Sequence, residues 1–174
     1  TLTANSCSKT DTVRVRINPL PTANITAPRN YICVGDSVLL TADTFPKYAY
    51  QWRLNTNAIS GATSRFLQVK AIGNYDVVAT DSNGCVRTST VFNITSKPNP
   101  STKIDTLGPV SVCLGGSIAL RADTLAKARF QWFKNGTPLS SDTNRFISAL
   151  SAGNYTYKVI DSNGCSSISQ PTTV

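Results

Sequence analysis

Residues 73–85 read GNYDVVATDSNGC, and residues 153–165 read GNYTYKVIDSNGC. Both runs open on Gly-Asn-Tyr, alternate with a period of two, and close on Asp-Ser-Asn-Gly-Cys. The alternation sets Tyr75, Val77 and Ala79 on one strand face, and Tyr155, Tyr157 and Val159 on its counterpart. Ser-Asn-Gly favours positive φ and hence a hairpin turn. A strand followed by a tight turn is therefore written twice.

The duplication extends outward from these runs with one gapless offset of about 80 residues. CxGxS recurs at Cys33, Gly35, Ser37 and Cys113, Gly115, Ser117. Ala-Asp-Thr recurs at 42–44 and 122–124, Gln-Trp at 51–52 and 131–132, and Arg-Phe at 65–66 and 145–146. SVLLTAD and SIALRAD place Val38, Leu40 and Ala42, or Ile118, Leu120 and Ala122, on one face. YAYQWRL and ARFQWFK turn Tyr50 and Trp52, or Phe130 and Trp132, inward. No helical periodicity competes. About seven short strands with frequent turn signals predict an all-β Greek-key sandwich for each copy. Trp52, Trp132, Tyr75 and Tyr155 are its expected core. The predicted organisation is 1–20, the terminal strands of a preceding repeat with a turn at Cys7 and an alternating strand after it; 21–98, a first complete repeat; and 99–174, a second. Pro19–Pro28 and Pro98–Pro109 supply linkers and first edge strands.

Composition agrees with a secreted β-rich module: 40% hydrophobic and only 15% charged residues. No apolar run reaches the roughly 18 residues of a membrane span, so no membrane insertion is expected. With no Met and an opening that already looks mid-domain, the chain reads as an internal piece of a longer protein. The net charge of +8 comes from scattered residues; Arg14 with Arg16, and Lys127 with Arg129, are the near neighbours among them. No basic helix or RNA-binding aromatic motif accompanies them, so no nucleic acid is expected as partner.

The order of these motifs resembles the immunoglobulin-like superfamily. The wording CxGxSVxLTA … QW … GNYxVxxTDSNGC looks like the tandem repeats of giant secreted adhesins and appendage filaments of Bacteroidetes, the SprB-like gliding-motility adhesins exported by type IX secretion. That resemblance implies an extracellular, cell-surface, non-enzymatic role in attachment or motility. The implied partners are neighbouring repeats of the same chain, further copies in a homo-oligomeric filament, and surface glycans or proteins of other cells. One departure stands out. The usual core disulfide positions hold Ala42 and Val77, or Ala122 and Tyr157, and Ala71 and Ser151 replace the acidic residue that usually precedes the Tyr.

The cysteines are Cys7, Cys33, Cys85, Cys113 and Cys165, an odd number, so at least one partner lies elsewhere. In an immunoglobulin-like sandwich strands B and F run parallel, with Ala42 roughly level with Val77. Cys33 precedes that level and Cys85 follows it. At about 3.3 Å per residue the two lie tens of Å apart, whereas a disulfide needs Cα atoms within about 7 Å. Head-to-tail stacking favours Cys33 with Cys165, leaving Cys85 to bond upstream, Cys113 downstream and Cys7 further back or in another chain. The alternatives are Cys33–Cys85 with Cys113–Cys165, or free and interchain thiols.

Catalytic chemistry finds little to work with. There is no His, so the commonest general base and a common zinc ligand are missing. No cofactor or metal is expected. Asp81 and Asp161 read as turn formers before Asn-Gly, with calcium ligation the rival, and Asp43 and Asp123 read likewise. Tyr31, Tyr48 and Phe133 are candidate outward aromatics for a glycan- or protein-binding module, the alternative function, but they do not recur between repeats. The N-x-T triplets at Asn24, Asn93, Asn135 and Asn154 read as Thr/Asn-rich strand sequence.

Overall fold

The computed structural model describes residues 2–4, 7–44, 47–108, 113, 115–140 and 142–174, with backbone alone for 2–4, 7 and 8. In chain order the strands are β1 (Leu2–Ala4), β2 (Cys7–Lys9), β3 (Ile25–Thr26), β4 (Tyr31–Cys33), β5 (Val38–Ala42), β6 (Ala49–Leu54), β7 (Asn57–Ala58), β8 (Phe66–Val69), β9 (Gly73–Thr80) and β10 (Val86–Thr88). They continue as β11 (Phe92–Lys97), β12 (Ile104–Thr106), β13 (Ile118–Ala122), β14 (Arg129–Lys134), β15 (Thr137–Pro138), β16 (Phe146–Ala149), β17 (Asn154–Ile160), β18 (Ser166–Ile168) and β19 (Thr172–Thr173). No helix occurs among the described residues. The protein is an all-β chain of immunoglobulin-like sandwiches.

Two compact units divide the chain. One comprises Thr1–Pro28, Leu39–Gln68 and Gly73–Asn93; the other comprises Arg29–Val38, Val69–Ile72 and Ile94–Val174. In the first, β5 lies between β3 and β8, and β6 lies between β7 and β9, with β10 on the far side of β9. The period-two pattern has its physical outcome here: Leu40, Ala42, Trp52, Tyr75, Val77 and Ala79 are all buried. Burying an indole leaves its N–H needing a partner. Trp52 Nε1 donates to the Ser64 carbonyl at 2.8 Å. Asp76, also buried, sits opposite Arg53 in the β6–β9 register and accepts from its Nε at 2.5 Å. Tyr50 is only half-buried, because its hydroxyl reaches out to the Asp43 carbonyl at 2.6 Å.

The second unit holds a sandwich in which one layer is β12-β13-β16 and the other is β15-β14-β17-β18, with β19 also on β17. Ile118, Leu120, Ala122, Ile147 and Ala149 from the first layer meet Trp132, Tyr155, Tyr157 and Val159 from the second. Phe130, expected inside, is half-buried at the edge of this cluster, 6.0 Å from the Tyr157 ring. Trp132 Nε1 donates to the Asn144 carbonyl at 2.9 Å. The Tyr155 hydroxyl donates back to the Ser151 carbonyl at 2.8 Å, the corner typical of immunoglobulin-like strand F. Tyr157, standing where a core cysteine is usual, is fully buried and extends its hydroxyl to Lys103, whose N–H donates to it at 3.0 Å.

The alternating strand expected after Cys7 is a correction. β1 and β2 form an antiparallel hairpin, but residues 10–24 carry no strand. A strand is defined by its ladder, and the alternation of Val13, Val15 and Ile17 supplies a face without supplying a partner.

Candidate functional site

The cysteines mark where chemistry is concentrated. β4 pairs in parallel with β11, setting Tyr31 opposite Thr95 and Cys33 opposite Lys97. Immediately after β4 the chain turns back, and the Asp36 N–H donates to the Cys33 carbonyl at 3.0 Å. Gly35, at φ +82°, takes the third position of that turn, where a type II geometry requires positive φ. Arg29 pairs with Asp36 and also donates to the Ser37 carbonyl at 3.3 Å. The Ser37 N–H and the Arg29 guanidinium hold the Asp36 carboxyl below its usual range.

Facing this turn is the loop Asp161–Cys165, which is organised by one carboxylate. Asp161 Oδ1 accepts the N–H groups of Asn163 and Cys165, each at 2.8 Å. Its own N–H donates to the Cys165 carbonyl at 2.9 Å, and the Gly164 N–H returns to the Asp161 carbonyl at 3.0 Å. Asp161 thus acts as a turn former. Burial pushes its carboxyl up, but the Asn163 side chain, the two N–H groups and the Lys97 ammonium pull it down further, so it lies below the usual carboxylate range.

Cys33 and Cys165 form a disulfide with Cα atoms 5.4 Å apart, inside the range such a bond demands. Both are buried, at 5% and 0% exposure. Polar contacts flank the bond. The Tyr31 hydroxyl donates to the Asn163 carbonyl at 2.8 Å. Lys97 Nζ donates to Asn163 Oδ1 while lying 4.2 Å from the centroid of the Tyr31 ring. Asn99 Nδ2 donates to the Val34 carbonyl at 3.0 Å. The whole constellation lies within the second unit, which takes in Arg29–Val38.

Cys85 and Cys113 are free, the first half-buried and the second exposed. The alternative pairing of Cys33 with Cys85 and Cys113 with Cys165 is therefore not formed, since Cys33 and Cys165 hold each other. The Cys7 side chain lies outside the described residues. Tyr31 is a correction to the outward aromatics: its ring is half-buried under Lys97 and its hydroxyl is engaged. Tyr48 is also half-buried, its hydroxyl accepting the Thr22 N–H at 3.3 Å, and Phe133 is half-buried in β14. Sequence reasoning passed over Lys97, Asn99 and Asn163. Asn163 was visible as part of DSNGC; Lys97 and Asn99 differ from their surroundings by no motif, only by where the fold delivers them. Among the described residues no three His, Cys, Asp or Glu side chains cluster as metal ligands, and no helix is long and apolar enough to cross a membrane.

No protein-family description matches the chain, and no characterised protein sequence matches it. Among solved structures it is similar to the fibronectin(III)-like modules of Clostridium thermocellum CbhA, with 16% identity over 86% of this chain and 91% of that one, at a TM-score of 0.50. It is also similar to murine CEACAM1b, with 17% identity over 88% and 98% of the two chains and a TM-score of 0.44. A third similar structure is the tandem immunoglobulin repeats of Dlar, with 15% identity over 87% and 97% and a TM-score of 0.32. At 16% identity the likeness to the CbhA modules speaks for the fold, a fibronectin(III)-like β-sandwich, and for nothing finer.

Proposed function

We propose that this chain is a non-catalytic structural segment of a long extracellular protein, a stalk or appendage filament of a bacterial cell-surface adhesin used in attachment or gliding motility. Its repeats span 21–98 and 99–174, behind the closing strands of another at 1–20. The observation that carries the reading is the Cys33–Cys165 disulfide, which ties the end of β4 to the loop after β17 and, on these proposed boundaries, crosses from one repeat to the next. A bond of that kind resists separation of neighbouring modules and belongs to an oxidising compartment. The aromatic surface that a glycan-binding module would need lends that rival little support, because Tyr31 and Tyr48 are engaged within the fold.

Electron microscopy of producing cells and their shed material, decorated with antibody against this chain, tests the proposal. Label along thin surface fibres is the expected result. Label confined to the cell interior, or to dispersed soluble particles, would end the reading.

A further inference from the structure

Each half of the closed joint exists a second time, without an occupant. The loop Asp81–Cys85 repeats the geometry of Asp161–Cys165. Asp81 Oδ1 accepts the N–H groups of Asn83 and Cys85, each at 2.8 Å, the Asp81 N–H donates to the Cys85 carbonyl at 3.0 Å, and the Gly84 N–H donates to the Asp81 carbonyl at 3.1 Å. The turn after Cys113 repeats the turn after Cys33. Its Gly116 N–H donates to the Cys113 carbonyl at 2.9 Å, and Gly115 sits at φ +86°. Neither arrangement needs a bonded sulfur to hold its shape. Both are built by their own backbone and, in the loop, by one aspartate.

What such a loop and such a turn do when they meet is visible in this same molecule at Cys33 and Cys165. The difference between the copies lies in exposure. Cys165 and Asn163 are buried and half-buried where the joint is closed, whereas Cys85 is half-buried and Asn83 exposed. Beside the open loop, Leu20 stands between Pro19 and Pro21 as Asn99 stands between Pro98 and Pro100, and it is 61% exposed. A cleft of about 320 Å³ runs there, lined by Pro19, Leu20, Tyr48, Asp81 and Asn83 among others.

We infer that Cys85 and Cys113 are the two halves of a repeating covalent coupling: Cys85, on its preformed loop, takes the cysteine that precedes the glycine turn of another repeat of this kind, and Cys113 offers that cysteine to another Asp-Ser-Asn-Gly-Cys loop. The occupant is a second immunoglobulin-like repeat, reached by thiol–disulfide exchange. An external disulfide such as oxidised glutathione is the oxidant. One protein thiolate attacks it and releases one glutathione, and the other protein thiolate then displaces the second, so two protein thiols become one disulfide while one oxidised glutathione becomes two reduced ones. The contact is heterologous, loop to turn, so it does not close on itself and propagates as a linear array.

The inference rests on the structural-segment reading, and the test separates the two. The 174-residue chain carrying Cys7→Ser, so that Cys85 and Cys113 are the thiols left beside the intact Cys33–Cys165 bond, is incubated with a glutathione redox buffer, resolved without reductant and mapped by mass spectrometry. The probe for the open loop is Cys113 of a second copy. A ladder of multimers whose new bond is Cys85–Cys113 is expected, with Cys85→Ser and Cys113→Ser each halting growth, and with a mixture of the two variants restoring a dimer and nothing longer. Equal amounts of Cys85–Cys85, Cys113–Cys113 and Cys85–Cys113 bonds would overturn the inference, since that is chance coupling of exposed thiols. Cys85 remaining a free thiol while Cys113 reacts would overturn it as well. Surface fibres in which Cys85 and Cys113 are both free thiols would leave the stalk reading standing and remove this one.

Discussion

At Asp161 a single carboxylate sets the geometry of the disulfide-bearing loop, and its ionisation enters the stability of the fold with a definite sign. Its folded-state value is lowered from 3.8, so its contribution is fully present above that value and is lost as pH falls through the folded-state one. Replacement by Asn keeps an oxygen able to accept both N–H groups and removes the charge. Asp161→Asn is therefore expected to flatten the acid limb of a stability–pH profile measured by urea denaturation below pH 4; an unchanged limb would mean that the charge does not act in the folded state. Thr56 poses a different residue-scale question. It lies in the two-residue loop between Leu54 and Asn57 with φ +71°, beside Asn55 at +48°. This is a type I′ hairpin with a β-branched residue where glycine is preferred, and the matching loop in the second unit reads Asn135-Gly136. Thr56→Gly is expected to raise stability by roughly 0.5–1 kcal/mol, read as a higher melting temperature.

Among the elements, the segment Val13–Ile17 has the pattern of a strand and lacks a ladder. Val13, Val15 and Ile17 are 82%, 84% and 90% exposed. Its counterpart after the next Asp-Ser-Asn-Gly-Cys turn is β11, whose Ile94 is only 1% exposed. An alternating apolar segment with unpaired backbone is a template for pairing with another chain. With Cys85 and Cys113 alkylated to remove disulfide coupling, the chain is expected to self-associate at high concentration, and Val15→Lys to suppress that association in light scattering. Association of the same extent in the variant would place it elsewhere. The repeat signal and the alternation made the sandwich legible because they are local. Gly-Asn-Tyr, Gln-Trp and Asp-Ser-Asn-Gly-Cys each specify a strand or turn within a few residues. The half-buried positions of Tyr50 and Phe130 were not legible, because period two assigns a face and cannot say how close to the edge of the core a residue lies.

For the whole molecule, the consequence of the disulfide is mechanical. Its cysteines are 132 residues apart. Pulled from both ends, the chain carries tension along residues 1–33, across the sulfur bond and out through 165–174, so residues 34–164 lie off the path. At about 3.6 Å per extended residue, the fully stretched oxidised chain reaches roughly 150 Å and the reduced chain roughly 600 Å. Single-molecule stretching with and without reductant reads that difference directly, and equal lengths would show that the bond does not carry the load. Reduction is also expected to lower thermal stability, by about 2–5 kcal/mol for a closed loop of this length.

Two kinds of information separate cleanly here. The strands, the turns, the buried Trp52, Trp132, Tyr75 and Tyr155, and the duplication at about 80 residues follow from patterns that act over a few residues, because side-chain alternation and turn chemistry are short-range. Spacing along a strand could also say that Cys33 and Cys85 belong at opposite ends. Head-to-tail stacking of repeats further favoured Cys33 with Cys165, whereas setting Lys97 over the Tyr31 ring and giving both of them Asn163 as acceptor needed the tertiary structure. Those contacts join residues as many as 132 positions apart, and no local pattern encodes a distance closed only when the sheets have packed.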